Sequence, residues 1–234
     1  MANKCTRRGY DESDERLFRG IQYEHLCKAA KEFGYLLDQG YPVKPTSTFI
    51  GNHYMFSERQ RLALVRSVAS KNDVQCRRYK MHTGRYLEVN IDGFNTIITL
   101  EVALSGSPIF LCTDSTIRDL AGLRGTYRII DKTQVAINAM FDWLMEHEVQ
   151  IANIYLDAPV SNSGRLKTLI FELTEKLPIQ VNIYVINNVD QTLSKLDYVI
   201  SSDSMILNQC KGWINMNREI IMQLDSNSKW MIEF

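Results

Sequence analysis

The chain has 234 residues, 45% apolar and 23% charged, with 27 basic side chains against 27 acidic ones. That composition is ordinary for a globular chain. No uncharged apolar run reaches the roughly 18 residues a membrane span needs, and MANKCTRRGYDESDER has no apolar core of the kind a secretory signal carries. The five cysteines (Cys5, Cys27, Cys76, Cys112, Cys210) are scattered without a CxxC pair. They point to a reduced, cytoplasmic chain rather than a disulfide framework or zinc ribbon. The charge is unevenly spread. Residues 1–85 hold 16 Lys/Arg against 9 Asp/Glu, a net of +7, and residues 86–234 hold 11 against 18, a net of −7. Such asymmetry suggests a basic part that meets a polyanion and an acidic part that holds cations.

In chain order, residues 1–24 read as a polar, mobile lead-in. His25–Gln39 carries Leu26, Ala29, Ala30, Phe33, Leu36 and Leu37 at helical spacing, closed by Gly40 and Pro42. TSTFIGN predicts a short helix ended by Gly51. Ser57 with Gln60 fits a capping box, opening a helix that displays Arg59, Arg61 and Arg66. Residues 25–70 thus form a small all-helical module, and Lys71–Arg85 reads as a basic linker. From Tyr86 strands and helices alternate. Strands are expected at Tyr86–Ile91, Ile109–Cys112, Ile151–Leu156, Val181–Ile186 and Asp197–Ser201. Helices are expected at Asn95–Leu104, Thr133–Glu148 (capped by Asp131 with Gln134), Ser163–Lys176 and just after Asp203. IANIYL and VNIYVI look apolar throughout, as in a parallel sheet covered by helices on both faces. The fold class is therefore α/β, a mainly parallel sheet flanked by helices, at 86–234, preceded by the basic helical module and linker at 1–85.

Three of these strands run into acids: Asp92, Asp157 and Asp203. Strand C-termini of a parallel sheet share one edge, so the three should converge. Clustered carboxylates repel unless a cation sits among them, and oxygen ligands without His or Cys favour Mg²⁺ or Mn²⁺. A single strand-end Asp is equally a turn former or helix cap. Asp190 is a fourth candidate ligand, and Glu101, Asp114 and Asp119 are further acids of interest.

NIDGFNTI resembles the opening motif of PIN-like nucleases of the NYN type, and YVISSDSMIL is similar to their late Ser-Ser-Asp motif. YLDAPVSNSGR looks like their middle strand with its acid, and VDQTLSKL stands where they often carry another Asp. The likeness covers residues 86–210. The whole chain also resembles a two-part prokaryotic family of unknown function. The long insert GSPIFLCTDSTIRDLAGLRGTY departs from the PIN-like pattern and holds no placeable second acid. The resemblance implies a metal-dependent ribonuclease, with Asp92, Asp157 and Asp203 catalytic and metal-binding. In that reading Gly93 lets the chain turn and a phosphate approach, and Asn95 caps the helix and is a candidate to hold Asp92, a water or the substrate.

Ser161, Asn162 and Ser163 enter a helix with Arg165 in its first turn, a combination that can hold a phosphate. Arg118, Arg124 and Arg128 offer further guanidinium groups. Neither a Walker loop nor a GxSxG serine elbow is present. The expected activity is phosphodiester hydrolysis on nucleic acid, RNA foremost, with no membrane partner; a homo-oligomer is compatible with it. The rival is a non-catalytic RNA- or nucleotide-binding protein with a degenerate PIN-like domain.

Overall fold

The computed structural model describes residues 6–122, 125–225 and 229–234. Arg124 and Cys5 lie outside them. The helical half comprises α1 (Asp14–Phe18), α2 (Gly20–Asp38), α3 (Val43–His53), α4 (Glu58–Ser67) and α5 (Lys71–Tyr79). Leu26, Ala29, Ala30, Phe33 and Leu37 bury the inner stripe of α2. The capping box forms: Ser57 Oγ accepts from Gln60 N at 3.3 Å, and Gln60 Oε1 accepts from Ser57 N at 3.1 Å.

Three expectations change here. Gly51 lies inside α3; a Cβ on it would stand 2.4 Å from Arg61 Nη1, so it makes room for a guanidinium rather than ending a helix. The expected linker is largely helix α5, because Ser70 Oγ accepts from Asp73 N at 3.1 Å and caps it. From residue 6 onward the lead-in is tied down rather than loose; its first five residues lie outside the described ones. Arg7 Nη2 donates to Gly106 O at 2.7 Å and Arg59 Nη2 to Gly9 O at 2.6 Å.

The second half begins with β1 (Glu88–Asp92), α6 (Gly93–Leu104), β2 (Pro108–Leu111), β3 (Ile117–Asp119) and α7 (Asp131–Glu146). It continues through β4 (Ile151–Asp157), α8 (Ser163–Thr174), β5 (Gln180–Ile186), α9 (Val189–Leu193) and β6 (Val199–Ile200). It closes with α10 (Ser204–Gln209), β7 (Trp213–Ile214), α11 (Met216–Gln223) and β8 (Trp230–Glu233). The main sheet has the order β5-β4-β1-β6-β7, and each of its pairs is parallel. This is the expected α/β class. Among the described residues no helix is long and apolar enough to cross a membrane. The expected cap of α7 runs through Thr133, whose hydroxyl accepts from Ile130 N at 2.9 Å.

One sheet face places Val89, Ile91, Ala152, Ile154 and Leu156 in the largest apolar core, against Ile97, Met140 and Trp143. The opposite face is not the apolar surface expected. It carries Glu88, Asn90, Asn153, Tyr155, Asn182 and Tyr184 by strand alternation. The helices α9 and α10 cover only part of it, through Val189, Leu193, Ile206 and Leu207 around Trp213.

The segment Ile109–Cys112 is a strand, but not of the main sheet. β2 pairs antiparallel with β3 and parallel with β8 in a second sheet. The departing insert thus builds a platform. Its Phe110, Cys112 and Leu120, with Ile232 of β8, join Leu26, Phe33 and Leu64 in one buried cluster. The helical half therefore closes its core only against the second half.

Gly93 starts α6 against β4. A Cβ there would lie 2.6 Å from Leu156 Cδ2 and 2.9 Å from Tyr155 O. The glycine serves close helix–strand packing rather than phosphate approach. Gly93→Ala should destabilise the protein by about 1–3 kcal/mol, as overpacking does. Thermal denaturation checks this, and an unshifted midpoint would show that α6 can slide.

Candidate functional site

β1 ends at Asp92 and β4 at Asp157, while Ser201, Ser202 and Asp203 follow β6. The register sets Ile91 against Ile200 and Asp92 against Tyr155. Asp190 stands in the first turn of α9. All four aspartates line a cleft of about 290 Å³. The sheet topology thus brings together acids spread over more than a hundred residues of sequence.

Asp92 is 5% exposed. It precedes α6 but makes no side-chain cap; its carboxylate instead accepts from Ser201 Oγ at 2.8 Å. Burial pushes the Asp92 carboxyl up to about 7; the Ser201 bond opposes this, and the charges of Asp190, Asp203 and Asp157 add to it. Burial, then the Asp190 charge, raises Asp157. Burial, then the Asp203 charge, raises Asp190. Asp203 is a true helix cap, accepting from Met205 N at 2.7 Å and Ile206 N at 3.4 Å. Asn95 is not the expected cap. It lies within α6, and its Oδ1 accepts from both N and Oγ of Ser202 at 2.9 Å. It pins the turn that carries Asp203.

The cations are placed differently from expectation. Arg118 lines the cleft but is only 8% exposed; its Nε donates to Ser202 O at 2.7 Å, its Nη2 to Asp114 Oδ2 at 2.7 Å and its Nη1 to Arg66 O. Three of its five N–H groups are thus committed to the fold. Asp114 also takes Arg77 Nη1 at 2.5 Å. Burial alone would raise the Asp114 carboxyl, but Arg118, the Thr116 hydroxyl and Arg77 hold it below the ordinary carboxylate value. Glu101 is fully buried in another cluster, bonded to Tyr127, Thr133 and Arg8.

Ser161, Asn162, Ser163, Arg165 and Arg128 are not among the described residues lining the carboxylate cleft. Ser161 Oγ accepts from Tyr127 N at 3.2 Å, and Asn162 Nδ2 donates to Tyr127 O at 2.6 Å. These side chains fasten the loop before α7 to the start of α8. Ser163 is buried and Arg165 exposed. Arg128 lines a neighbouring cleft with Arg8 and Arg59. In the expected basic set, Arg59 is bonded to Asp14, and Arg61 to Phe56 O at 2.9 Å and Asn52 Oδ1 at 3.0 Å.

The third member, Arg66, reaches the carboxylate cleft from α4, where its Nη1 donates to Asp119 O. Its side chain is one-third exposed. Asp119 also lines the cleft, with Thr99 Oγ1 donating to it at 2.8 Å. Arg66 and Ser201 are the site residues that sequence reasoning did not assign. The Ser-Ser-Asp run was a signal for Ser201. Arg66 had none, since its half of the chain carries no motif tied to the acids.

Among the described residues no group of three or more His, Cys, Asp or Glu is placed to hold a metal ion as it stands. The donor chemistry nevertheless fits a hard divalent cation. Neighbouring carboxylate charges help to raise Asp92, Asp157 and Asp190, and a bound cation would relieve that repulsion. Mg²⁺ commonly keeps several waters and takes only one or two carboxylates, which suits this loosely gathered set.

Fold and cleft define a two-part protein, a helical module seated on a parallel α/β domain whose strand ends are acidic. Residues 82–219 match the family described as "Domain of unknown function (DUF5616)", and residues 25–80 match "Protein of unknown function (DUF434)". The chain belongs to the DUF5616 family, with the DUF434 region as its N-terminal part. It is 33% identical over 183 residues to "Uncharacterized protein MJ0935" of Methanocaldococcus jannaschii, covering 77% of this chain and 88% of the relative. No solved structure matches the chain.

Proposed function

We propose that the protein is a divalent-cation-dependent phosphodiesterase acting on nucleic acid, RNA foremost, with a PIN-like catalytic half. The observation that carries this reading is the convergence of Asp92, Asp157, Asp190 and Asp203 in one cleft with Arg66 beside them. Asp92 and Asp157, with Asp190 or Asp203, would hold Mg²⁺ or Mn²⁺. Such an ion supplies an activated water and neutralises charge on the leaving oxygen. The chain's own groups prepare the site. Ser201 fixes the Asp92 carboxylate, Asn95 fixes the turn of Asp203, and Arg66 can pair with a phosphate oxygen. The helical half thus contributes to the site directly, not only as a separate RNA-binding face.

The rival reading, a non-catalytic RNA-binding protein, draws on the lack of a ready-made ligand group among the described residues. Calorimetric titration of the full chain with MnCl₂, paired with cleavage of end-labelled RNA, separates the two. The enzyme reading expects Mn²⁺ uptake and Mn²⁺-dependent cleavage. It further expects Arg66→Ala to raise KM more than it lowers kcat, as loss of uniform binding does. No Mn²⁺ uptake at millimolar concentration and no cleavage would leave only the rival.

A further inference from the structure

Parallel sheets are ordinarily covered on both faces. Here the face bearing Asn90, Asn153 and Tyr155 opens into a third cleft, of about 670 Å³. That size is in the range of ligand sites. Its lining is neither an apolar groove nor a cationic one.

The floor carries the amides of Asn90 and Asn153, backed from the next strand by Asn182, whose Nδ2 donates to Asn153 Oδ1 at 3.0 Å. Asn153 Nδ2 donates to Glu88 Oε1 at 2.6 Å, and Tyr155 OH donates to Asn90 Oδ1 at 3.3 Å. The amides therefore orient one another before any ligand arrives. A carboxylate has more acceptor positions than one amide fills, so Glu88 can accept further N–H groups.

The walls are aromatic. Tyr155 and Tyr184, directly opposite across β4 and β5, stack with centroids 5.2 Å apart. Tyr198 forms the other side and is 41% exposed. It holds a left-handed backbone at φ 52°, costly for a bulky residue. His82 stacks on it at 4.4 Å and also bonds Asp197 at 2.7 Å. Surrounding contacts thus keep a strained aromatic half-exposed at the cleft.

We propose that this cleft receives an unstacked nucleobase of a single strand, between Tyr184 and Tyr198, with a donor-rich edge such as guanine's facing Glu88. Rings that stack on any base face, and side chains that read its edge, are how single strands are held. Glu88 and Asp197 outnumber the one guanidinium of the lining, Arg85, which is itself paired with Glu148 at 2.9 Å; the balance disfavours a phosphate here, so the base rather than the backbone occupies the cleft. Asn90 and Tyr155 precede Asp92 and Asp157 by two residues each, so the cleft lies about 7 Å back along the same strands and face. A strand held at the carboxylates is thereby within reach of the base cleft, an inference that rests on the nucleic-acid reading above.

The test uses the full chain in EDTA, so that no cleavage is needed, and fluorescence anisotropy of a short labelled oligouridine carrying one guanosine. Tyr184→Ala should weaken binding at least about fivefold, the lower end for one base stack. Tyr184→Phe should bind as wild type does, and Phe171→Ala, an exposed aromatic on α8, should change nothing. Replacing the guanosine by uridine should weaken binding to wild type but not to Glu88→Gln. Full affinity in Tyr184→Ala, an equal loss in Phe171→Ala, or saturable binding of free guanosine that the oligonucleotide cannot displace would overturn the proposal. Base binding without cleavage would sink only the nuclease reading; cleavage without this base binding would sink only the present one.

Discussion

Asp92→Asn will make the metal-free protein more stable above pH 7 and remove its Mn²⁺ uptake. Burial raises the Asp92 carboxyl from its ordinary range to about 7, and three neighbouring carboxylates add to the shift. A raised folded pKa means that the folded state binds the proton more tightly than the unfolded chain does. The wild-type contribution is therefore fully present below about pH 4 and is lost as pH rises through about 7. An amide of the same shape never ionises and avoids that loss. The gain is about 4 kcal/mol at most, from the three-unit shift. Urea denaturation of both proteins at pH 4 and pH 8 reads it directly, with near-equal stabilities at the lower pH and a gap at the higher. Mn²⁺ uptake by wild type should strengthen over the same interval, because the ion displaces the Asp92 proton. Equal stabilities at both pH values would mean that Asp92 is ionised at no cost and that the acids do not act on one another.

Asp114→Ala should cost about 3–5 kcal/mol, the usual penalty when one partner of a buried ion pair is removed. Two guanidinium groups depend on that carboxylate. Arg77 is 3% exposed and Arg118 is 8% exposed, and both would keep their charge with a partner gone. Damage should extend to the cleft, because Arg118 also holds the Ser202 carbonyl. Circular dichroism during heating measures the first effect. A stability within 1 kcal/mol of wild type would show that water reaches the pair and that its burial is shallow.

The acid edge was legible in the sequence because it is a topological consequence. Once β1, β4 and β6 are parallel, residues at their ends must meet, whatever lies between. The polar sheet face was not legible. In IANIYL and VNIYVI the asparagines and tyrosines were read through as minor breaks, although they recur at every second position and so share one face. Lys71–Arg85 was read as a linker from its charge, while Ser70 supplied a helix cap that outweighed it. Arg118 was read as a guanidinium for phosphate, and nothing local reveals that Asp114 and Ser202 hold it. The role of the insert that carries β2 and β3 depends on β8, more than a hundred residues downstream, a pairing that no local pattern signals.

The platform of β2, β3 and β8 sets how the molecule can move. Because Phe110, Leu120 and Ile232 are buried among the side chains of α2 and α4, the two matched regions share one cooperative unit. Rocking one against the other would expose the apolar contacts that hold both. Arg66 therefore stands at a fixed height beside the carboxylates, and substrate entry falls to side-chain rearrangement rather than to the opening of a hinge.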